Sequence, residues 1–507
     1  MMNFHPASCD WEDMSTRAIA RALHVLRTGA LVVLPTTTVF ASGYHFGTQS
    51  VSSQGLANSN AAEAADASVI FYNPAGLTFL EGDQVSLALV TVDPHIEADD
   101  LTSVNAQGGT IYGPSVEGPA STVLVPQIYW AHQFNDQLYG GIGVFVPFGD
   151  RTHYQRDWAG RYNGIELNLK TITFNPQFAY KLNNHFSVGL GVSAQYMDAR
   201  FLKAADFGTL AATNLPAFAQ GLAAQHVVLT QTQLQQAALA SMSNPQYDGV
   251  LTYEGDDWGF GFNVGVMWQV DETLRFGAAY RSSIKHELEG DADWTRPATF
   301  ENSVFANVPM VGSVVNAAWN TAIQEGLDEQ GFENGNGLVD VETPDSFALN
   351  AFKQLGQFAI TADWTHTWHD KFEELRLDFE TALPDAVIEQ SWHATDRYSA
   401  GVSYKFNDSP LKVRAGIAFD ESPVPDPERR IANLPDNDRT WYSLGASYAF
   451  ASGFTIDAAY TYVDIKDASM NNTECVLPEC TGSGTTTRAD FTSYANIFGL
   501  QFGYKFR

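Results

Sequence analysis

The sequence predicts an all-β protein, a 14-stranded antiparallel transmembrane β-barrel that is plugged by an N-terminal, partly helical hatch. Three observations lead to this prediction. Several segments alternate apolar residues with small or polar residues, short and long connections alternate between these segments, and a stretch without strand character precedes the first of them.

The C-terminal segment shows the alternation clearly. Phe498, Leu500 and Phe502 share one face of an extended chain, whereas Gly499 and Gln501 share the other. A period of two indicates a β-strand. An aromatic face backed by small and polar residues fits a wall with lipid outside and a lumen inside. A soluble β-sandwich also alternates, but its outer face would be rich in Lys, Glu and Thr. Here the polar face holds few long charged side chains and many glycines, which favours the barrel.

The number of strands follows from the turn signals. Short turn sequences such as Asn135-Asp136 and Asn183-Asn184 alternate with longer, acidic or Gly-rich connections, as in barrels with tight periplasmic turns and large external loops. The long connection 203–243 is rich in Ala, Leu and Gln and predicts helix, notably from Gln231 to Ala240. Strand starts are predicted near Gln84, Thr122, Gln137, Glu166, His185, Tyr247, Leu274, Glu342, Gln357, Trp392, Leu411, Asp438, Phe454 and Phe491.

Composition excludes several classes of protein. No run of apolar residues is long enough for a membrane-spanning helix. The formal net charge of -30 excludes nucleic acid as a partner, because phosphate binding needs clusters of Lys and Arg. Most of the acidic residues lie between strands, where they would keep the loops solvated. A sharper hypothesis is that divalent cations bridge them to lipopolysaccharide, so outer-membrane lipid and lipopolysaccharide are expected partners.

The N-terminus carries a secretory signal. Arg17, Arg21 and Arg27 precede an apolar stretch and the small-residue site Val39-Phe40-Ala41, the order of such a signal. The domain prediction is therefore a signal peptide over residues 1–41, a hatch or plug over 42–82 and the barrel over 83–507. A barrel of this size encloses more space than its own side chains fill, which favours a plug inside the lumen.

Two cysteines remain after signal removal. Cys475 and Cys480 lie in a polar loop, in a compartment where disulfides persist. A local disulfide is expected rather than a metal site, because two thiols without a nearby His or further Cys cannot complete a zinc shell. We expect no metal, no cofactor and no catalytic residue.

Several short motifs, in order and spacing, resemble the FadL/TodX family of outer-membrane transporters for long-chain fatty acids and other hydrophobic compounds. The resemblance covers residues 43–506. The motifs are Gly43-Tyr44-His45-Phe46, Phe71-Tyr72-Asn73-Pro74-Ala75-Gly76-Leu77, Val125-Pro126-Gln127, Val146-Pro147-Phe148-Gly149, Trp158-Ala159-Gly160-Arg161-Tyr162, Asp256-Asp257-Trp258-Gly259-Phe260 and Thr343-Pro344-Asp345.

The resemblance implies a fourteen-stranded barrel plugged by an N-terminal hatch. We expect it to be a monomer in the outer membrane of a Gram-negative bacterium. Hydrophobic substrate would be captured outside, enter a lumen pocket near the hatch, and leave sideways through a gap in the wall without an energy source. The resemblance also implies that Tyr44 and Phe46, at the hatch tip, form a gate near the ligand.

The wall gap has a candidate in the sequence. Pro147 lacks an N–H, interrupts the third strand, and is followed by Phe148 and Gly149. It could instead end that strand at a loop; the resemblance favours the gap. Asn73, Pro74, Ala75 and Gly76 read as a turn, either a structural corner of the hatch or a ligand contact.

A carboxylate ligand would require a cation in the lumen. Residue parity places Arg275, Arg281 and Lys285 on the inner face of the seventh strand, and Lys412 and Arg414 on that of the eleventh. Such residues commonly pair with lumen carboxylates. Arg281 and Arg414 are the candidates for contact with substrate.

The predicted function is passive uptake of long-chain fatty acids or other hydrophobic compounds, with lateral exit into the bilayer. An outer-membrane lipase is the first alternative, but His366 and His369 lie near one strand rim without a Gly-x-Ser-x-Gly elbow. A surface adhesin or structural barrel is the second, and there a hatch has no purpose.

Overall fold

A computed structural model describes residues 43–114, 116 and 118–506, which form a closed antiparallel barrel of 14 strands. The predicted signal peptide, residues 1–41, lies outside the described residues. The strands are β1 Gln84–Val104, β2 Val123–Gln133, β3 Leu138–Phe145 with Gly149–His153, β4 Glu166–Lys181, β5 Phe186–Asp206, β6 Asp248–Gln269, β7 Leu274–Arg281 with Ile284–Thr295, β8 Gly335–Thr343 with Ser346–Leu355, β9 Phe358–Thr367, β10 Thr395–Lys405, β11 Leu411–Asp420, β12 Arg439–Ala449, β13 Phe454–Thr473 and β14 Thr486–Lys505.

The barrel closes where its first and last strands meet. β1 pairs with β14 from Gln84 opposite Lys505 to Val104 opposite Thr486, and with β2 on its other edge. The predicted fold class is thus confirmed. Two predicted starts were late: β8 begins at Gly335 and β14 at Thr486, because both extend past the apolar belt into the external loops. Among the described residues, no helix has the length and hydrophobicity required to cross a bilayer.

The two faces of the wall differ as the alternation predicts. On β14, the side chains of Phe498 and Leu500 are 52% and 40% exposed, whereas Ile497 and Gln501, which flank them, are buried. The same contrast holds on β12, where Leu444 is exposed and its neighbours face inward. Apolar side chains therefore face the lipid, and small or polar ones face the lumen.

The connections are short on one side of the barrel and long on the other. The long, external side carries helices α3 (Phe207–Ala224) and α4 (Gln231–Ser241) between β5 and β6, as predicted, and α5 (Ser303–Ala306) and α6 (Gly312–Glu329) between β7 and β8. A capping box between Thr230 and Gln233 starts α4. The second helical pair was not predicted. Three further short strands, Thr110–Ile111, Glu374–Phe379 and Ala386–Glu389, belong to these loops.

The hatch, here residues 43–80, lies inside the barrel. It contains the helices α1 (Val51–Gln54) and α2 (Val69–Tyr72) and the 3-10 helix Pro74–Phe79. Hydrogen bonds attach it to the wall around the lumen: Gln54 Nε2 donates to the Ile497 carbonyl at 2.9 Å, and Gln177 Nε2 to the Ile70 carbonyl at 2.9 Å. The hatch thus satisfies polar groups on both sides of the interface.

Glycines on the inner wall let the hatch backbone come close. A Cβ on Gly445 of β12 would lie 2.8 Å from the Cα of Gly55, and one on Gly189 of β5 would lie 2.4 Å from the amide nitrogen of Ala75. Real side chains do not tolerate such distances. The Gly-rich inner face seen in the sequence is therefore a docking surface for the hatch.

An irregularity in β7 corrects one predicted side-chain direction. Arg281 pairs opposite Asn263, whereas Glu289 pairs opposite Asp256, so one extra residue lies between the two halves of β7. The parity changes there, and Lys285 points outward with its side chain 82% exposed. The prediction that Lys285 faces the lumen was wrong for this reason.

Candidate functional site

The wall is interrupted between β2 and β3. Their ladder runs from Gln133 opposite Tyr139 to Ile128 opposite Val144 and extends no further in the described chain. Residues 123–127 of β2 continue to pair with β1. On the external side, contact resumes where the amide of His153 donates to the Pro119 carbonyl at 2.8 Å. We call the space between residues 123–127 and residues 146–148 the lateral opening.

At the lateral opening β3 turns inward and pairs with the hatch. The amide of Phe46 donates to the Pro147 carbonyl at 2.7 Å, and the amide of Gly149 donates to the Tyr44 carbonyl at 2.8 Å. After Pro147 the strand resumes at Gly149–His153, paired with β4. Pro147 therefore interrupts β3 rather than ending it. The neighbouring β2 edge contains Pro126, which has no N–H to leave unpaired.

The hatch tip, residues 43–47, is enclosed by aromatic side chains. The ring of Tyr44 lies 5.6 Å from that of Phe148, 5.7 Å from that of Trp392 and 6.0 Å from that of Phe372. Both Tyr44 and Phe46 are buried. Burial, followed by the charge of Glu342, raises the pKa of Tyr44, so its hydroxyl stays neutral.

A cavity of about 110 Å³ lies beside the hatch tip, and we call it the lumen cavity. It is bounded by the hatch, the inward turn of β3, and the inner faces of strands from β6 to β12. Its lining includes His45, Phe71, Pro74, Pro147, Phe148, Arg281, Asp363, Arg397, Asp420 and Trp441. The lumen cavity therefore adjoins the lateral opening.

Two guanidinium groups face the lumen cavity. Arg281 donates to the Phe71 carbonyl at 2.8 Å, and its guanidinium lies over the Phe71 ring at 4.9 Å. Arg397 donates to the Ala57 carbonyl at 2.9 Å, and its guanidinium lies over the Trp441 ring at 5.5 Å. Within the described residues, neither forms an ion pair with a carboxylate. Carbonyl and cation–π contacts hold them instead.

Arg414, the other cation predicted to meet substrate, has a different environment. Its Nη1 lies 2.9 Å from Asp457 Oδ1, both side chains are buried, and it does not line the lumen cavity. The residue that lines the lumen cavity together with Arg281 is instead Arg397. Sequence reasoning missed Arg397, although its parity on β10 matches that of the inward-facing Ser399.

Two further lumen cations predicted from parity, Arg275 and Lys412, hold the hatch. Lys412 forms an ion pair with Glu63, and Arg275 Nη1 donates to the Glu63 carbonyl at 3.0 Å. Burial by itself would raise the pKa of the Glu63 carboxyl, but Lys412, Arg414 and Arg275 outweigh it and lower that pKa. Glu63 is thus a charged anchor between the hatch and the wall.

His45 of the hatch tip is kept neutral by its surroundings. Burial, followed by the charges of Arg397, Arg281 and Arg439, lowers the pKa of His45 to about 4. His369 of the external loops, whose pKa burial and then His45 also lower, is likewise neutral. The ring of His45 thus adds no positive charge to the lumen cavity near neutral pH.

The turn Asn73-Pro74-Ala75-Gly76 lies where the hatch meets β5, β6 and β7. The Asn73 side chain accepts from the Ala75 amide at 3.0 Å and donates to the carbonyls of Val266 and Ala278 at 3.3 Å. Pro74 alone of the four lines the lumen cavity. Asn73 therefore ties the turn to the wall, and Pro74 faces the lumen cavity.

A second cavity opens on the external side. This apolar external cavity has a volume of about 170 Å³, and its lining includes Phe207, Leu210, Leu251, Trp294, Phe332 and Leu477. Its aromatic rings pack closely, with the centroids of Trp294 and Phe332 at 4.9 Å. Leu477 belongs to the loop in which Cys475 and Cys480 are joined by a disulfide bond.

The histidine pair considered for a lipase is held in structural contacts. His366 Nδ1 lies 2.9 Å from Asp396 Oδ1, which also accepts from Trp364 Nε1 at 3.0 Å. His369 is buried and its ring lies 5.9 Å from that of Trp392.

A barrel with a hatch in its lumen, a cavity beside the hatch and an interrupted wall defines the class of plugged outer-membrane transport barrels. Comparisons with known proteins agree. A family model described as outer membrane protein transport protein (OMPP1/FadL/TodX) matches residues 32–506. The chain belongs to this family and is located in the outer membrane of a Gram-negative bacterium.

Individual relatives are similar over nearly their whole length. The chain is 35% identical over 481 residues to a Neisseria meningitidis serogroup B protein named as an outer membrane protein, covering 93% of this chain and 96% of that one. It is 28% identical over 482 residues to the long-chain fatty acid transport protein of Escherichia coli O6:H1, covering 94% and 97%. The crystal structure of a Pseudomonas aeruginosa FadL homologue superposes with a TM-score of 0.75 at 22% identity, over 92% of this chain and 100% of that one, which supports the fold.

Proposed function

We propose that this protein is a passive channel for long-chain fatty acids or other hydrophobic compounds, which leave the lumen sideways into the bilayer. The observation that carries the proposal is the lateral opening, with the lumen cavity directly beside it. The name of the Escherichia coli relative supports fatty acids as substrates.

Lateral exit is the route that the physical chemistry of the substrate favours. Each methylene that stays out of water is worth about 0.8 kcal/mol, so an acyl chain of many methylenes gains little from release into the aqueous periplasm. Unpaired strand edges in a membrane cost several kcal/mol for each unsatisfied group. The inward turn of β3 reduces this cost, because the hatch tip pairs with Pro147 and Gly149 and Pro126 has no donor to satisfy.

The hatch tip would act as the gate. An engineered cavity of about 150 Å³ holds one benzene molecule, whereas the lumen cavity measures about 110 Å³. A long acyl chain needs more room, and moving the hatch tip away from Phe148 and the inward turn of β3 would supply it. The two backbone hydrogen bonds to β3 would break in that step, which connects loading of the cavity to the state of the lateral opening.

Arg281 and Arg397 would bind the carboxylate of a fatty acid. Neither is committed to an ion pair in the described part of the chain, and both face the lumen cavity. Asp363 and Asp420 line the same space and would limit the affinity. A weak headgroup site suits a channel, because tight binding would slow release.

The proposal is tested with a variant in which β3 is expected to run straight past the lateral opening. We would combine Pro147→Ile with Gly149→Val, which favours a continuous strand along the edge of β2. Oleate transfer would be measured in vesicles with a lipopolysaccharide outer leaflet and no ion gradient or ATP. The expected result is a loss of at least about tenfold in transfer rate, because roughly 1.4 kcal/mol in a barrier is a factor of ten.

The matched control is Pro94→Ile on β1. Pro94 lies in a wall segment that is paired on the β14 side, opposite Ala495, so its replacement should leave transfer unchanged. Unaltered transfer in the Pro147 variant, with the barrel correctly assembled, would contradict lateral exit. A requirement for an ion gradient would contradict passive transport.

A further inference from the structure

The external face contains a polar cavity next to the apolar external cavity. This polar external cavity has a volume of about 620 Å³ and includes Asn163, Glu428, Arg429, Asn471, Asn472 and Glu479 in its lining. Lys203 and Glu474 line both cavities. An amphiphile could therefore occupy the two spaces at once.

The boundary between the two cavities is formed by the Lys203–Glu474 ion pair and the disulfide loop 475–480. Lys203 and Glu474 form an ion pair in which the Glu474 side chain is 4% exposed. Cys475 faces the polar cavity, whereas Val476 and Leu477 face the apolar one. The loop is closed by the disulfide, and the Gly484 amide donates to the Cys475 carbonyl at 3.1 Å. The change from apolar to polar surroundings is thus built into the fold.

The polar cavity contains buried hydrogen-bonding atoms without partners. Asn163 is 4% exposed, and its Oδ1 receives no hydrogen bond from the described residues. Arg429 Nε has no acceptor there either. Unpaired buried polar atoms are costly, so a ligand that supplied both a donor and an acceptor would be bound favourably.

The charges in the polar cavity select the kind of headgroup. Two basic and four acidic side chains line it. Lys203 and Arg429 are already paired with Glu474 and Glu389, while Glu428 and Glu479 form no ion pair among the residues the structure describes. Acceptors therefore exceed free cations, which disfavours a carboxylate and favours hydroxyl groups, since these donate as well as accept.

We propose that the external face binds an amphiphile with a neutral, hydroxylated headgroup of the sugar type. The headgroup lies in the polar external cavity against Asn163, and the alkyl chain lies in the apolar external cavity against Trp294 and Leu477. The site goes beyond the proposed uptake function, because its ligand is uncharged and does not require the cations of the lumen cavity.

The test compares three ligands with the same eight-carbon chain: octyl glucoside, octanoate and octyltrimethylammonium. The protein is placed in lipid nanodiscs, and each ligand is titrated below its micellar concentration. Fluorescence of Trp294 reports occupancy of the apolar cavity, with Trp294→Phe identifying its share of the signal. We expect octyl glucoside to bind at least tenfold more tightly than either charged ligand.

Single substitutions test whether the headgroup binds in the polar external cavity. Asn163→Ala should weaken the binding of octyl glucoside at least fivefold and leave the binding of octanoate unchanged. The control is Asn336→Ala, since Asn336 is exposed and lies outside both cavities; it should change neither affinity. The isosteric Glu479→Gln should keep octyl glucoside affinity within twofold and strengthen octanoate binding. Equal affinities, tighter binding of either charged ligand, or an unaffected Asn163→Ala would overturn the proposal. Binding is measured without transport, so failure here is distinct from failure of lateral exit.

Discussion

Acidification should loosen the hatch tip through His45. The His45 side chain is half-buried and lines the lumen cavity. The charged and titratable groups that face it are Arg281, Arg397, Arg439, His369, Asp363 and Asp420. A proton on His45 would place a further positive charge among three guanidinium groups, so protonation and docking oppose each other.

The size of the effect follows from the pKa of His45. It is about 4 in the docked hatch, whereas a free histidine titrates near about 6.5. The undocked tip therefore binds a proton over a range in which the docked tip does not. The contribution of neutral His45 to the stability of docking is fully present above about pH 6.5, and it is lost as the pH falls toward about 4. At about 1.36 kcal/mol for each tenfold change, the loss reaches about 3 kcal/mol, or roughly a 300-fold shift in population.

Hydrogen exchange measures this directly. The amide of Phe46 donates to Pro147 and that of Gly149 to Tyr44, so their protection reports docking of the tip. Protection, corrected for intrinsic exchange rates, should fall between pH 6.5 and pH 4.5 in the native protein. His45→Gln removes the titrating group and should remove most of this dependence. Equal protection at both pH values, or an unchanged dependence in His45→Gln, would refute the reasoning.

Three further perturbations test the hatch and the external loop. Gly445→Val puts a side chain where Gly55 already lies 2.8 Å away; we expect it to cost about 1–3 kcal/mol and to expose the hatch to protease, with a rise in single-channel conductance. Glu63→Gln leaves Lys412 without its charge partner and should destabilise hatch docking by about 3 kcal/mol. The measurement is the thermal midpoint, which should fall. An unchanged midpoint would show that this ion pair does not anchor the hatch. Cys475→Ser removes the disulfide bond to Cys480, and the chain-entropy model gives that bond a stabilising contribution of about 2 kcal/mol. The variant should bind octyl glucoside more weakly, with no change in the melting of the barrel. Equal binding would show that the loop keeps its shape without the disulfide.

The wall of this protein could be predicted from local sequence because its physical rules are local. A period of two along β14 decides which side chains meet lipid, and turn residues decide where strands reverse. Arg275 and Lys412 were placed in the lumen by the same parity. The method failed at Lys285, because a one-residue bulge in β7 reverses parity and leaves no sign in the pattern itself.

The candidate site depended on contacts between distant segments. Parity placed Arg281 in the lumen. Only the closed barrel shows that Arg397 lines the same cavity and that Arg414 forms an ion pair with Asp457. Likewise, Pro147 marked a break in β3, yet its pairing with Phe46, 101 positions earlier in the chain, decided that β3 turns inward. Such pairings are set by loop closure and packing, which a single sequence does not display.

The sequence by itself thus determined a lipid-facing cylinder, the number of its strands and the presence of material in its lumen, since periodicity and turn chemistry act between near neighbours. The tertiary structure decided which lumen cations are free, where the wall opens, and that the disulfide loop separates an apolar from a polar cavity. Each of these depends on residues that are far apart in the sequence, and their positions in space are fixed only when the barrel closes on the hatch.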